Sequence, residues 1–202
     1  MVTEKAILLG GGGHAKVLLD VLRFSDVDIL GYTSPSNYPG SQYFADIPYL
    51  GTDEEIASRF DINVRLVNAI GVAGLPDKRK EVYERFKHLG YSFLQVIHPS
   101  AVIGAGVRLG EGVQIMAGAV IQPYATIGAN ALINTRASVD HDCQISDHVH
   151  IAPGTTLCGS VSVGDTAHIG AGTTVIQGVH IGRRCLIGAG SLVIRDLADE
   201  KK

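Results

Sequence analysis

The residues best suited to chemistry in this chain of 202 amino acids gather in one short stretch: Asn134, then Asp140-His141-Asp142-Cys143, then His148, His150 and Pro153, closed by Gly159. A histidine titrates near neutrality, so an imidazole here is able to accept a proton from an attacking group and hand it on. A developing oxyanion needs a donor, and a backbone N–H beside a glycine is suited to supply one. Neighbouring residues of a regular strand face opposite ways, so direct contact between His141 and Asp142 requires a turn. Cys143, Cys158 and Cys185 are odd in number and lack Cys-x-x-Cys spacing, which reads as small apolar filling in a reducing compartment.

What positions these residues is a repeat. From Ile97 to Val193 every sixth residue is aliphatic, seventeen times without a skipped register. Two residues before most of these stands a small or β-branched one, as at Ala119, Ala131, Cys143 and Val161. Period two inside period six fits neither an α-helix nor a coiled coil. It fits a short strand with two inward side chains followed by a tight turn, repeated into a solenoid. His141 and Asp142 fall two and three residues after the inward Val139, which places them on such a turn. His150 and His168 each precede an inward aliphatic, so both point outward. With three hexads per coil they stack about 4.8 Å apart and share a face able to meet a partner or ligand.

The first 95 or so residues read differently. Ala6 to Leu9 is a buried strand, Gly10 to Gly13 a tight loop, and His14 to Phe24 an amphipathic helix. Ile29 to Tyr32 and Arg65 to Ile70 read as strands, and Pro76 to Leu89 as a charged helix. The sum is a small parallel α/β domain. A glycine loop that opens a helix aims backbone N–H groups at whatever lies before it, a setting suited to a phosphate.

Composition narrows the function classes. The net charge of −3 and the lack of clustered Lys and Arg speak against a nucleic-acid partner. No apolar run approaches the roughly 20 residues of a membrane span. Met1 to Leu9 lacks the long apolar core of a secretory leader, which together with the cysteines points to a cytoplasmic protein.

Units such as Val161-Ser162-Val163-Gly164-Asp165-Thr166 and Val179-His180-Ile181-Gly182-Arg183-Arg184 resemble the hexapeptide repeats of acyltransferases, which form a left-handed parallel β-helix. The left hand rests on that resemblance alone, since parallel crossovers are otherwise right-handed. A glycine-loop domain in front of such a helix is similar to the sugar acyltransferases that include bacillosamine, perosamine and sialic acid acetyltransferases. The resemblance spans nearly the whole chain. It implies a Rossmann-like nucleotide-sugar-binding domain over 1–96, a left-handed β-helix acyltransferase domain over 97–196 and a C-terminal tail over 197–202.

Further implications of the resemblance concern roles. His141 becomes the general base, Asp142 holds its tautomer, and His150, nine positions on, helps to position the thioester. Gly159 matches the family's oxyanion donor. Gly12, Gly13 and His14 would hold the nucleotide, with Asn134 on the substrate side. Acetyl-CoA, the acyl donor, would run past His150, Ala171 and Ala189 between subunits of a homotrimer. No metal is required. The expected reaction is acetylation of the amino group of a nucleotide-linked 4-amino-4,6-dideoxy sugar. His98, His148, His168 and His180 are read as structural or solvated.

Two departures from the family pattern are visible. After the second strand relatives place a pair of acids that contact the nucleotide, whereas this chain has Tyr32-Thr33-Ser34-Pro35. That favours GDP-perosamine over a UDP-linked sugar. The chain also stops at Asp199-Glu200-Lys201-Lys202, without the family's Gly-x-Pro-Ala-Lys-like ending. Alternatives are O-acetylation of the sialic acid type, a carbonic-anhydrase-like zinc enzyme on the same helix, and a non-catalytic nucleotide-sugar-binding trimer. The zinc enzyme expects ligand histidines five apart, and no pair here has that spacing.

Overall fold

The computed structural model describes residues 4–36 and 42–202; Met1 to Thr3, the start of the segment read above as free of a leader, lie outside them. Strand β1 (Lys5–Leu9) pairs in parallel with β2 (Asp28–Thr33) on one side and β3 (Arg65–Asn68) on the other. Helix α1 (Gly13–Leu22) links β1 to β2 and buries Ala15, Leu18, Leu19, Val21 and Leu22 on one stripe. A short helix, α2 (Ile56–Arg59), precedes β3, and α3 (Asp77–His88) follows it. The loop between β1 and α1 turns sharply at Gly10, whose φ of 120° and close approach to Ala69 leave no room for a side chain.

Seventeen two-residue strands follow, from β4 (Val96–Ile97) to β20 (Leu192–Val193). Each pairs in parallel with the strand eighteen residues away, giving three sheets of 6, 6 and 5 strands. This is the left-handed hexapeptide β-helix. Inward aliphatics alternate with small residues down the centre, where Ala119, Ala125, Ala131, Ala137 and Cys143 are wholly buried. The turns make three corners that run the length of the prism, and a left-handed residue recurs at each, as at Arg136, Asp142 and His148. Residues 197–201, expected to be a tail, continue the last coil: Leu197 N–H donates to His180 O (2.9 Å) and Leu186 N–H to Lys201 O (2.7 Å).

The α/β region lies on the sheet that contains His150 and His168 and on the adjoining corner at residues 128–130 and 146–148. Met116 and Leu132 of that sheet join the same apolar cluster as Ala15, Leu18 and Leu19 of α1. The ion pairs Lys80–Asp165, Lys87–Glu111 and Arg184–Asp77 span the junction. Pairs this exposed are screened by solvent, so apolar burial dominates the docking.

Candidate active site

The turn after Val139 departs from strand geometry at Asp142, where φ is 59°. Two backbone bonds hold it in place, Asp142 N–H to Pro123 O (3.2 Å) and Ser160 N–H to His141 O (2.9 Å). The left-handed residue swings the Asp142 side chain back to its neighbour, and Oδ2 lies 2.8 Å from His141 Nδ1. Asp140 Oδ1 accepts the His141 N–H at 2.8 Å. A carboxylate on Nδ1 fixes the proton there, which leaves Nε2 as the bare acceptor. The hydrogen bond to Asp142 also raises the His141 pKa above its ordinary value.

Gly159 stands one coil further along the same corner. A Cβ built on it would lie 2.6 Å from His141 Nε2, so the imidazole rests on the bare face of the glycine. Among the described residues the Gly159 N–H has no acceptor in the backbone ladder, although its neighbours Cys158 and Ser160 both donate. At some coils this turn position is capped by a side chain, as Ala129 N–H is by Asp147 Oδ1 (2.7 Å), and at others, such as Ala171 and Ala189, no acceptor is found among the described residues either. The corner thus presents an exposed proton acceptor and, buried beneath that ring, an N–H donor with no backbone acceptor.

Asn134 and His150 occupy a different place, on and beside the sheet under the α/β region. Asn134 Nδ2 lies 3.2 Å from His150 Nε2, and His150 Nδ1 lies 3.2 Å from His168 Nδ1. Burial drives the His150 pKa down to about 3. The outward face read as a meeting surface is therefore covered by this chain's own α/β region. Among the described residues no side-chain hydrogen bond or ion pair joins His141 to Asn134 or His150. Ala171 and Ala189 are exposed and stacked on the Asn134 corner, each flanked by glycines, which leaves a smooth ledge.

Gly12 and Gly13 are exposed at the start of α1, with open space around both. No side chain caps Gly12, so the first-turn N–H groups face outward. His14 turns away from that loop. Its Nε2 donates to Gln114 Oε1 at 2.8 Å, Gln114 donates on to Asn68 O, and burial lowers the His14 pKa to about 4.

A cleft of about 490 Å³ opens at the carboxyl ends of β1, β2 and β3, the usual ligand position of an open parallel sheet. It is lined by Gly10, Ser34, Pro35 and Ile70 from the strand ends, by Asp53 and Glu54, and by Lys78 and Arg85 of α3. Arg85 pairs with both Asp53 and Glu54 (3.1 Å each), and the Thr33 hydroxyl donates to Asp53. Sequence reasoning overlooked these acids because they come from another loop. Their signal was Thr52-Asp53-Glu54-Glu55, where Thr52 N–H donates to Glu55 Oε2 (2.8 Å) and opens a helical turn.

The junction holds further polar residues that a repeat does not announce. Arg79 is buried without a carboxylate and donates to the carbonyls of Asn68, Ile70 and Asn130. Burial lowers its pKa to about 9, so it stays charged at neutral pH. His148, expected in solvent, lies under α3 against Tyr83, with Nδ1 3.0 Å from Asn130 Nδ2. His98 binds Ser100 in a turn, and His180 binds Ser162. Cys143 donates to Cys158 O, and burial pushes its thiol up to about 11, where it is no nucleophile. Among the described residues no group of three or more His, Cys, Asp or Glu is arranged to hold a metal, and no helix is long and apolar enough to cross a membrane.

Comparison with known proteins places both parts of the chain in known families. Residues 5–86 match the PglD N-terminal domain family, and residues 160–195 match the bacterial transferase hexapeptide (six repeats) family. A variant of perosamine N-acetyltransferase from Caulobacter crescentus, in complex with CoA and GDP-perosamine, is 37% identical, with 98% of this chain and 92% of that one covered and a TM-score of 0.88. The acetyltransferase domain of PglB from Neisseria gonorrhoeae FA1090, in complex with acetyl coenzyme A, is 27% identical over 98% of this chain and 95% of that one, with a TM-score of 0.89. WeeI from Acinetobacter baumannii AYE shares the fold at 20% identity, covering 96% of this chain and 94% of that one, with a TM-score of 0.80.

Proposed function

This chain belongs to the hexapeptide-repeat sugar acetyltransferases that carry a PglD N-terminal domain, and from that premise we propose that it moves the acetyl group of acetyl-CoA onto the amine of a GDP-linked 4-amino-4,6-dideoxy sugar such as GDP-perosamine. The relative bound to CoA and GDP-perosamine supports both substrates. Region 1–96 binds the nucleotide sugar, 97–196 carries the transfer, and 197–202 is the C-terminal segment. Three free thiols fit a cytoplasmic setting.

The observation that carries the reading is the pairing of a bare His141 Nε2 with the Gly159 N–H. A sugar ammonium first gives up one proton to solvent, and His141 Nε2 takes the next from the amine as it attacks. The amine nitrogen then bonds to the thioester carbonyl carbon, and the Gly159 N–H receives the oxyanion. As the C–S bond breaks, the imidazolium returns a proton to the departing thiolate, so no covalent enzyme intermediate forms. Asp142 keeps the proton on Nδ1 throughout. The ledge at Ala171 and Ala189 fits an extended pantetheine arm because small residues let it approach the backbone. That ledge and the His141 corner are separate in one chain, so a homotrimer supplies the missing side, the ledge and Asn134 of one copy facing His141 of the next.

The test is release of free thiol from acetyl-CoA in the presence of UDP-, GDP- and dTDP-linked amino sugars and their hydroxyl counterparts. The GDP-linked amine is expected to react fastest. His141→Ala should keep the fold and lower turnover by about 10²-fold or more. Unchanged turnover at every pH would remove His141 from the mechanism.

A further inference from the structure

The buried imidazole of His150 and the half-buried one of His168 form a hydrogen-bond chain whose direction follows from chemistry alone. Thr135 N–H lies 2.8 Å from Asn134 Oδ1, and a backbone N–H only donates, so the carbonyl end of the Asn134 amide is fixed there. The Thr135 hydroxyl approaches the same oxygen at 3.4 Å. Asn134 Nδ2 must then donate to His150 Nε2, 3.2 Å away, which makes Nε2 a bare acceptor. A protonated His150 would set N–H against N–H at that contact, so the ring is neutral and its proton sits on Nδ1. His150 Nδ1 donates to His168 Nδ1 at 3.2 Å, the rings meeting edge to face at 81°. Burial lowers the His168 pKa, and the neighbouring Gly74 backbone opposes that shift.

We infer that His168 is a positioning residue: by accepting from His150 Nδ1 it holds that ring in the Nδ1–H tautomer, and His150 in turn locks the Asn134 amide in one orientation on the corner that carries the acyl-donor ledge. Each link has one donor and one acceptor, so no link reverses without breaking another. Free histidine favours the Nε2–H form, and the Nδ1–H tautomer therefore needs such a cause. Gly74 lies in the loop between β3 and α3, the loop whose Ile70 lines the cleft at the strand ends. His150 acts through Asn134, because both of its nitrogens are already engaged. The kinetic part of this inference rests on the acetyltransferase reading above, whereas the tautomer part does not.

The experiment uses full-length protein with ¹⁵N-labelled histidine at neutral pH, His150 being assigned by the signals missing in His150→Gln. The expected spectrum shows His150 with a protonated Nδ1 and a pyridine-type Nε2. His168→Phe should abolish that signature and raise the KM for acetyl-CoA about 10-fold, the loss of roughly one hydrogen bond, with a smaller change in kcat. His168→Asn keeps an acceptor where Nδ1 was, so it should restore the signature and bring KM back to within about threefold. An Nε2–H tautomer in the unaltered protein overturns the inference, and so does equal loss in His168→Phe and His168→Asn, which would mark a packing role. Failure of every nucleotide amino sugar to accept acetyl would sink the enzymatic reading and its kinetic corollary, while the spectra decide the tautomer by themselves.

Discussion

Gly159 and His141 are in close contact: the imidazole Nε2 sits 2.6 Å from the point where a side chain on residue 159 would begin. Gly159 does not have a positive φ, so alanine is compatible with its backbone. Gly159→Ala should leave the melting temperature unchanged or slightly higher. The added methyl must push the exposed ring aside, and a misplacement of about 1 Å at a reacting group costs up to about 10²-fold in rate. A variant with full turnover would show that the ring acts from some other position.

Asp142 acts on the same ring through charge. Its hydrogen bond stabilises the imidazolium and raises the His141 pKa. The base works only when neutral, so the acid limb of kcat/KM should have its midpoint above about 6.5, the ordinary histidine value. Asp142→Asn removes the stabilising charge, and the limb should move to lower pH while the plateau rate falls with the lost tautomer control. A midpoint that stays in place would mean that another group titrates in that limb.

Buried histidines make stability depend on pH in a separate window. His14 and His150 are held neutral, with pKa values pushed down to about 4 and about 3, whereas in the unfolded chain each takes a proton below about 6.5. The unfolded state binds more protons in that interval, so stability falls as pH drops from about 6.5 toward 4. The slope approaches about 1.4 kcal/mol per pH unit for each ring. The paired carboxylates Glu111 and Asp165 have lowered pKa values and lose their pairs only further down. Urea midpoints at pH 7, 6 and 5 measure the effect, and equal midpoints at pH 7 and 5 would refute it.

The solenoid was legible because its period is written in the residues that face inward. Its corners were legible too, and the offset of His141 from Val139 already placed that residue on a turn. Periodicity, however, records only inward against outward. Gln114, Asn130 and His148 all point away from the coil, and nothing local says that another part of the chain will cover them. Their burial depends on how α1 and α3 dock, which is a property of two surfaces together. The same limit explains His14, which follows the glycine loop in sequence yet turns to Gln114, a hundred residues on. It explains the cleft at the strand ends as well, where acids missing after β2 return from the loop at Asp53 and Glu54.

Those two acids differ in what they have left to offer. Asp53 is occupied by Thr33 and Arg85, and its side chain is only 19% exposed. Glu54 is 70% exposed and uses one oxygen on Arg85, and a hydrogen bond from Thr52 holds its carboxyl below the usual range, so it is ionised at neutral pH. Guanine presents two adjacent donors, N1–H and the 2-amino group, that a carboxylate accepts together, whereas uracil offers one N–H between two carbonyls. A good bidentate pair of this kind discriminates by about 1–3 kcal/mol. Glu54→Gln should therefore raise KM for a GDP-linked sugar about 10-fold or more and barely change that for a UDP-linked one. Asp53→Asn, by contrast, loosens the loop through Arg85 and should weaken both nucleotides alike. Equal effects of Glu54→Gln on both nucleotides would remove Glu54 from base recognition.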